Sequence, residues 1–266
     1  MKIVLAQIDC MIGDVDYNCA QLTSFNKQAK QHDCELIIFP EMIDTGYDMP
    51  TIRQTASSWT GTPFLTAQNA AMESKMWLIC GISEREGDII YNSLAVFDNT
   101  GKLAGKYRKT HLFTADPINE DQHLRAGNSY EIIDIASMKL GLMICYDIRF
   151  PEMSRHLVRK GSTVLVVCSA WPFPRQHHWR ILTLARAIEN QCYVVATNRV
   201  GTDGSTTFCG SSCVIDPKGD ILTLGTENSS ELLITDIDQE QVYLTRQSHP
   251  TLNDRRDDLY RLWDTS

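Results

Sequence analysis

Apolar runs of strand length alternate with helix-length segments along most of the chain. KIVLA at residues 2–6 and ELIIF at residues 35–39 predict strands, with a helix over residues 17–31 between them. Thr62 can cap a helix that carries Pro63 at its first position and runs to about residue 75. Residues 77–82 and 92–97 predict further strands, and the turn Asp98-Asn99-Thr100-Gly101 leads into another at residues 103–107. The same order then returns. Residues 140–144, 164–168 and 193–197 predict strands, separated by helices over residues 150–160 and 176–191. A strand at residues 211–215, the turn Asp216-Pro217-Lys218-Gly219 and a strand at residues 221–224 close the second half. Each half reads strand, helix, strand, helix, strand, hairpin, and each hairpin turns at Asp-x-x-Gly. This predicts an α/β fold with an internal pseudo-repeat, as two similar sheets packed face to face under outer helices. No linker or low-complexity run divides the halves, so residues 1–266 are expected to form one domain.

Composition narrows the class. At 266 residues and 43% apolar, the chain can bury about three quarters of its unfolded surface without disulfides or metals. Lys plus Arg number 25 against 33 Asp plus Glu, a net charge of −8. That balance disfavours nonspecific nucleic-acid binding, which depends on basic groups neutralising phosphates. Nine cysteines, an odd number scattered through apolar runs, read mostly as small core residues in a reducing compartment. Gln7 and Asp9 interrupt the opening apolar run, which therefore reads as a strand rather than a secretion signal. Asn228-Ser229-Ser230 forms a glycosylation triplet that carries no meaning without export. No apolar run approaches membrane-spanning length. A cytoplasmic protein is expected.

Reactive groups in α/β sheets collect at the carboxyl ends of strands. Glu41 follows the apolar run ELIIFP, where an ionised carboxylate is costly. Cys145 ends LGLMIC and precedes YDIRFPEM, a strand-to-helix turn that projects a nucleophile and favours a thiolate through helix-start amides. Lys109 lies in GKYRKTHLF, after the hairpin strand. Taken singly, each has an ordinary alternative: a solvated loop carboxylate, an inert core thiol, a surface lysine.

Taken together they form a pattern. FPEM around Glu41, YRKTHLF around Lys109 and GLMICYDIRFPE around Cys145 resemble, in order, the three signature blocks of the nitrilase (carbon–nitrogen hydrolase) superfamily. SAWP…HHWRILTLARAIENQCYVVATNRVG is similar to that family's second-half motif, and the likeness extends from Lys2 to at least Asp220. The resemblance implies a four-layer αββα sandwich and a Glu41-Lys109-Cys145 catalytic triad without a cofactor. It also implies a homodimer or higher homo-oligomer, with helices near CYDIRFPE and ARAIENQ often at the interface. Glu120, in NEDQHLRAG, aligns with a second family glutamate that orients the lysine and substrate; its alternative is an exposed loop carboxylate. The tail over about residues 239–266, with Leu259, Tyr260, Leu262 and Trp263 among mixed charges, is expected to dock on a partner subunit.

Such a trio suits amide cleavage. Cys145 attacks the carbonyl carbon to form a thioester, Glu41 carries protons, and Lys109 with the Tyr146 N–H holds the oxyanion. Ordinary pKa values of about 4.3 for Glu and about 8.5 for Cys put about 5–6 kcal/mol against thiol-to-Glu transfer. Burial of Glu41 and the charge on Lys109 are expected to close part of that gap. Tyr146-Asp147 after the cysteine is the form seen in amidase branches, whereas true nitrilases usually carry Trp-Glu. CYDIRFP, AWPFPRQHHW and NRVGTDG look most like bacterial omega-amidases, which act on 2-oxoglutaramate and 2-oxosuccinamate. A free substrate carboxylate needs a cation, and Arg175 is the candidate, with Tyr47 and Trp171 shaping the pocket. Ser169-Ala170-Trp171 departs from the close relatives, where Asn often precedes the Trp. Alternatives are an amidase for N-carbamoyl compounds or deaminated glutathione, and a catalytically silent binding or scaffold member. His177-His178 is set aside as a metal site because adjacent helical histidines should diverge and no further ligand motif accompanies them.

Overall fold

The computed structural model describes residues 1–260; Leu262 and Trp263 of the tail lie outside the described residues. The first half runs β1 (Lys2–Gln7), α1 (Val15–Lys30), β2 (Leu36–Ile38), α2 (Met49–Thr55), α3 (Thr62–Ser74), β3 (Trp77–Glu86), β4 (Ile89–Phe97) and β5 (Leu103–Arg108). The second runs β6 (Ile132–Ile135), β7 (Met138–Ile144), α4 (Pro151–Arg159), β8 (Val164–Ser169), α5 (Gln176–Asn190) and β9 (Tyr193–Asn198). It continues through the short pair β10 (Thr202–Asp203) and β11 (Thr206–Thr207), then β12 (Cys213–Ile215) and β13 (Ile221–Leu224). β14 (Glu231–Asp236), α6 (Gln239–Ser248) and the single turn α7 (Asp257–Tyr260) follow.

The strands build two six-stranded sheets, in the orders β14-β1-β2-β3-β4-β5 and β13-β12-β9-β8-β7-β6. In the first, β1, β2 and β3 are parallel, and β4 and β5 add antiparallel as a hairpin. In the second, β7, β8 and β9 are parallel, and β12 and β13 add antiparallel. The pseudo-repeat is therefore real in topology. Each sheet also gains one antiparallel edge strand beside its first parallel strand, β14 on β1 and β6 on β7. The two Asp-x-x-Gly turns match bond for bond: Gly101 N–H donates to Asp98 O at 2.9 Å, and Gly219 N–H to Asp216 O at 3.0 Å.

Both faces of the central strands are covered, so they read as continuous apolar runs rather than alternating ones. Ile3 and Leu5 of β1, Leu36 and Ile38 of β2, and Leu94 and Val96 of β4 join one core cluster with Leu140 and Leu142 of β7. Their neighbours Val4, Ala6, Ile37 and Phe97 join a second cluster with Leu22 of α1 and Ala67 and Ala71 of α3. One register thus feeds the space between the sheets and the other the helix layer.

Two helix starts show the local chemistry. Asp14 accepts from Tyr17 N–H at 3.0 Å and caps α1. The expected Thr62 cap is displaced by one residue: Gly61 is the N-cap of α3, with no side-chain cap bond. A Cβ at Gly61 would lie 2.7 Å from Ser57 Cβ, so the close turn there requires glycine. α2, β6, β14 and α6 are elements the periodicity does not predict; they are short, or half-exposed additions at the edges.

Leu142 is fully buried between the sheets. Leu142→Ala should lower unfolding free energy by about 2–5 kcal/mol, read as an earlier denaturant midpoint with an unchanged slope.

Candidate active site

Glu41 follows β2 on a turn that crosses β3 at close range. A Cβ on Gly81 of β3 would lie 2.5 Å from Glu41 Cα, Met42 N and Pro40 O. Gly81 N–H donates to Pro40 O at 3.0 Å, Ile43 N–H donates to Gly81 O at 3.2 Å, and Met42 takes a left-handed φ of 46°. The absent side chain lets this turn aim Glu41 inward. Lys109 extends the β4–β5 ladder by one rung, its N–H donating to Asn92 O at 2.8 Å. Glu120 heads a short 3-10 turn whose loop closes on itself: Glu120 N–H donates to Phe113 O at 2.8 Å, and Phe113 N–H to Glu120 Oε2 at 2.7 Å.

These three side chains, all fully buried, form one cluster. Lys109 Nζ donates to Glu41 Oε1 and to Glu120 Oε1, each at 2.9 Å. Asn92 Nδ2 donates to Glu41 Oε1 at 2.6 Å, and Ala170 N–H to Glu41 Oε2 at 2.8 Å. Tyr47 OH donates to Glu120 Oε1 at 2.8 Å. Glu120 is therefore an interior group, not the exposed loop carboxylate of its alternative reading.

Cys145 directly follows β7, opening a 3-10 turn with a left-handed φ of 45°, a conformation costly for a side-chain-bearing residue and frequent at functional turns. Asp147 holds this bend. Its Oδ2 accepts from Ile144 N–H at 2.8 Å and Tyr107 OH at 2.7 Å; its Oδ1 accepts from His111 N–H at 3.1 Å and lies 2.8 Å from His111 Nδ1. One buried carboxylate thus ties the Cys145 turn to the segment carrying Lys109.

Burial is the largest influence on each charge. It pushes Glu41 up, and the neighbouring Glu120 adds to this, against Lys109 and Asn92. Burial pulls Lys109 down, but Glu120 and Glu41 outweigh it, so the ammonium is held charged. Burial also pushes the Cys145 thiol up, with Glu41 adding to the effect and Lys109 and Ser169 opposing it. Helix-start amides after Cys145 are expected to favour the thiolate, whereas burial at this depth acts in the opposite direction.

Cys145 faces a narrow cleft with Tyr47, Phe113, Tyr146, Trp171 and Arg175 in its walls. The eight candidates of the sequence therefore converge, and Tyr47 joins the ion cluster to the cleft. Arg149, which the sequence reading missed, lines the same cleft. Its guanidinium lies 4.6 Å from the Trp171 ring centroid and its Nη2 3.3 Å from His178 Nδ1. The Arg175 guanidinium lies 5.5 Å from the Phe113 ring centroid. Among the described residues, no carboxylate forms an ion pair with either arginine. The His177 and His178 rings do not diverge: their centroids are 4.1 Å apart, at the first turn of α5. Asn92 and Asp147 were also missed. Adjacent polar residues Asn92 and Ser93 inside an apolar strand were the available signal.

Comparison with known proteins agrees with this geometry. A family model described as carbon–nitrogen hydrolase matches residues 2–247. The 2-oxoglutaramate amidase of Bacillus subtilis is 32% identical over 259 residues, 95% of this chain and 98% of that one. The mouse (Mus musculus) omega-amidase NIT2 is 33% identical over 269 residues, 98% and 96% of the two chains. The crystal structure of Saccharomyces cerevisiae Nit3, of the nitrilase superfamily, superposes with a TM-score of 0.88 at 30% identity, covering 96% of each chain. The chain belongs to the carbon–nitrogen hydrolase family, within the nitrilase superfamily.

Gly81→Ala should displace the Glu41 turn and lower turnover by about 100-fold, the scale of a ~1 Å misplacement. Comparison of kcat for the folded variant and wild type checks this.

Proposed function

We propose that this chain hydrolyses the amide of a small, carboxylate-bearing monoamide through a Cys145 thioester, as an omega-amidase acting on compounds such as 2-oxoglutaramate or 2-oxosuccinamate. The observation that carries the reading is a cleft with the candidate nucleophile at one wall and two guanidiniums, Arg149 and Arg175, that form no ion pair with a carboxylate among the described residues. Half-buried guanidiniums lining a cleft can pair with an anionic ligand group through charge-assisted hydrogen bonds. The names of the bacterial and mouse relatives support the same substrate class.

In this reading Glu41 takes the Cys145 proton as sulfur attacks the amide carbon. Lys109 Nζ and the Tyr146 N–H hold the oxyanion that forms. Glu41 returns the proton to nitrogen, the C–N bond breaks, ammonia leaves and the thioester remains. Water then attacks the thioester carbon, giving one proton to Glu41. The C–S bond breaks, Glu41 returns that proton to sulfur, and the acid product leaves and gives its remaining proton to the released ammonia. The balance is amide plus water to carboxylate plus ammonium, with no cofactor called for. Glu120 holds Lys109, while Tyr47 and Trp171 shape the pocket and Arg149 with Arg175 receives the distal carboxylate.

The proposal extends to a single domain over residues 1–266, a homodimer or higher homo-oligomer, and a reducing, cytoplasmic location. Nine free, buried cysteines support the last. Exposed Ile181 and Ile188 on α5 and exposed Leu259 and Tyr260 support an interface near that helix and the tail. No described helix is long and apolar enough to cross a membrane.

Ammonia release from 2-oxoglutaramate, a neutral amide of similar length, an N-carbamoyl amine and a simple nitrile tests the reading. The anionic amide should be the best substrate. Arg149→Ala should raise its KM about 10-fold or more, the scale of one lost charge-assisted contact, and leave the neutral amide little changed. Nitrile turnover without amide turnover would overturn the proposal.

A further inference from the structure

The hairpin β10–β11 has no place in the chemistry above, yet its Asp203 belongs to a buried ion pair that touches the Tyr47 backbone. Arg199, fully buried at the end of β9, grips Asp203 with both arms: Nη1 to Oδ2 at 2.5 Å and Nη2 to Oδ1 at 3.0 Å. Its Nη2 also donates to Cys10 O at 2.9 Å and Asp9 Oδ1 at 3.2 Å. Asp203 is itself buried, and its Oδ2 accepts from Tyr47 N–H at 3.0 Å. Placing an ion pair out of water is costly and rarely adds stability over apolar packing. What it gives here is a fixed point.

Tyr47 is held from three sides, and two belong to this hairpin. Its backbone is pinned by Asp203; its ring meets the Phe208 ring edge-on, with centroids 6.4 Å apart at 87°. Phe208 lies beneath the Arg199 guanidinium at 4.2 Å and is anchored by its N–H to Gly201 O at 2.9 Å. The third side is the hydroxyl, whose 2.8 Å bond reaches Glu120 Oε1, the oxygen that also accepts from Lys109. Gly46 makes the approach possible: it takes a φ of 74°, and a Cβ there would lie 3.4 Å from Asp203 Oδ2 and 3.1 Å from Ile12 Cα. Burial, with Glu120 beside it, keeps the Tyr47 hydroxyl protonated and hence a donor.

We propose that Asp203 is a positioning residue: clamped by Arg199, it fixes Tyr47, and through Tyr47 it fixes Glu120 and Lys109. The inference rests on the reading that Lys109 and Cys145 perform the reaction. It adds that the β10–β11 hairpin, whose Asp203 is 156 residues from Tyr47 in sequence, is a working part of the site.

A double-variant cycle between Asp203 and Tyr47 tests it, with two readouts on folded protein below its melting temperature. These are kcat and KM for 2-oxoglutaramate, and the rate of Cys145 alkylation by iodoacetamide followed by peptide mass. Asp203→Ala should lower kcat about 10- to 100-fold, with a smaller change in KM, because misplaced groups lose catalysis steeply. It should also slow alkylation, since Lys109 is no longer held to favour the thiolate. Asp203→Asn keeps an oxygen for the Tyr47 N–H and should retain more activity. In a Tyr47→Phe background, Asp203→Ala should cost about twofold at most, because the path to Glu120 is already cut. Should Asp203→Ala fail to fold, Arg199→Lys, which loosens the grip but keeps the charge, should show the same dependence on Tyr47. Wild-type kcat and alkylation in the folded variants, or an equal loss with and without the Tyr47 hydroxyl, would overturn the proposal. If no amide is turned over, the substrate reading fails while the alkylation cycle still decides this one.

Discussion

A lysine ammonium shared by two carboxylates, all three out of water, is the constraint around which the site is arranged. Burying any one of these charges alone costs several kcal/mol. Together, with Lys109 at 2.9 Å from both Glu41 and Glu120, the cost is offset, and each group limits where the others can sit. Asn92 and Tyr47 donate to the same Oε1 oxygens as Lys109, and the Ala170 and Phe113 amides meet the two Oε2 oxygens. Every carboxylate oxygen of the pair is engaged, and buried polar networks of this kind specify one arrangement rather than adding net stability. Its chemical use follows from the same burial. Desolvation raises both Glu41 and the Cys145 thiol, so the proposed reaction depends on an acceptor and Lys109 being positioned where charge develops on sulfur.

The fold supplies this arrangement through its pseudo-repeat. β2 and β8 occupy equivalent places in the two sheets, and the turns after them meet, Glu41 Oε2 accepting from Ala170 N–H. β1 and β7 are likewise equivalent, and β7 delivers Cys145. The first sheet also brings Lys109 at the end of its hairpin. One half contributes the ion cluster, the other the sulfur, and face-to-face packing closes the distance that the sequence keeps between them. Asp147 locks this closure by bonding both the Cys145 bend and the segment after Lys109. A duplicated fold has thus been given unlike chemistry in its two halves.

Much of this was legible in the sequence. The long apolar runs marked the central strands because both of their faces are buried, and Asp-x-x-Gly marked both hairpins because an Asp carbonyl and a glycine build the same turn twice. The catalytic candidates were legible through motif order. What escaped depended on tertiary contact. Edge strands β6 and β14 are defined by the strand they pair with, not by a strong pattern of their own. Arg149 sits in the nucleophile block, but only the fold turns it towards Trp171 and the cleft. The helix start after Cys145 is visible in the sequence, but the depth at which the sulfur lies, which acts against the thiolate, is not. Asp203 and Arg199 looked like ordinary polar residues in NRVGTDG until their contacts placed them against Tyr47.

Acylation of Cys145 in Glu41→Gln is the most direct measurement of the central claim, that the buried carboxylate moves the thiol proton. The best substrate of the wild type is mixed with each folded protein, quenched in acid, and the intact mass is read during the first turnover. Wild type should carry the thioester on Cys145 while Glu41→Gln, of nearly the same shape, stays unmodified over the same interval. A thioester that forms on Glu41→Gln at the wild-type rate would contradict the claim, since sulfur would then have lost its proton without Glu41.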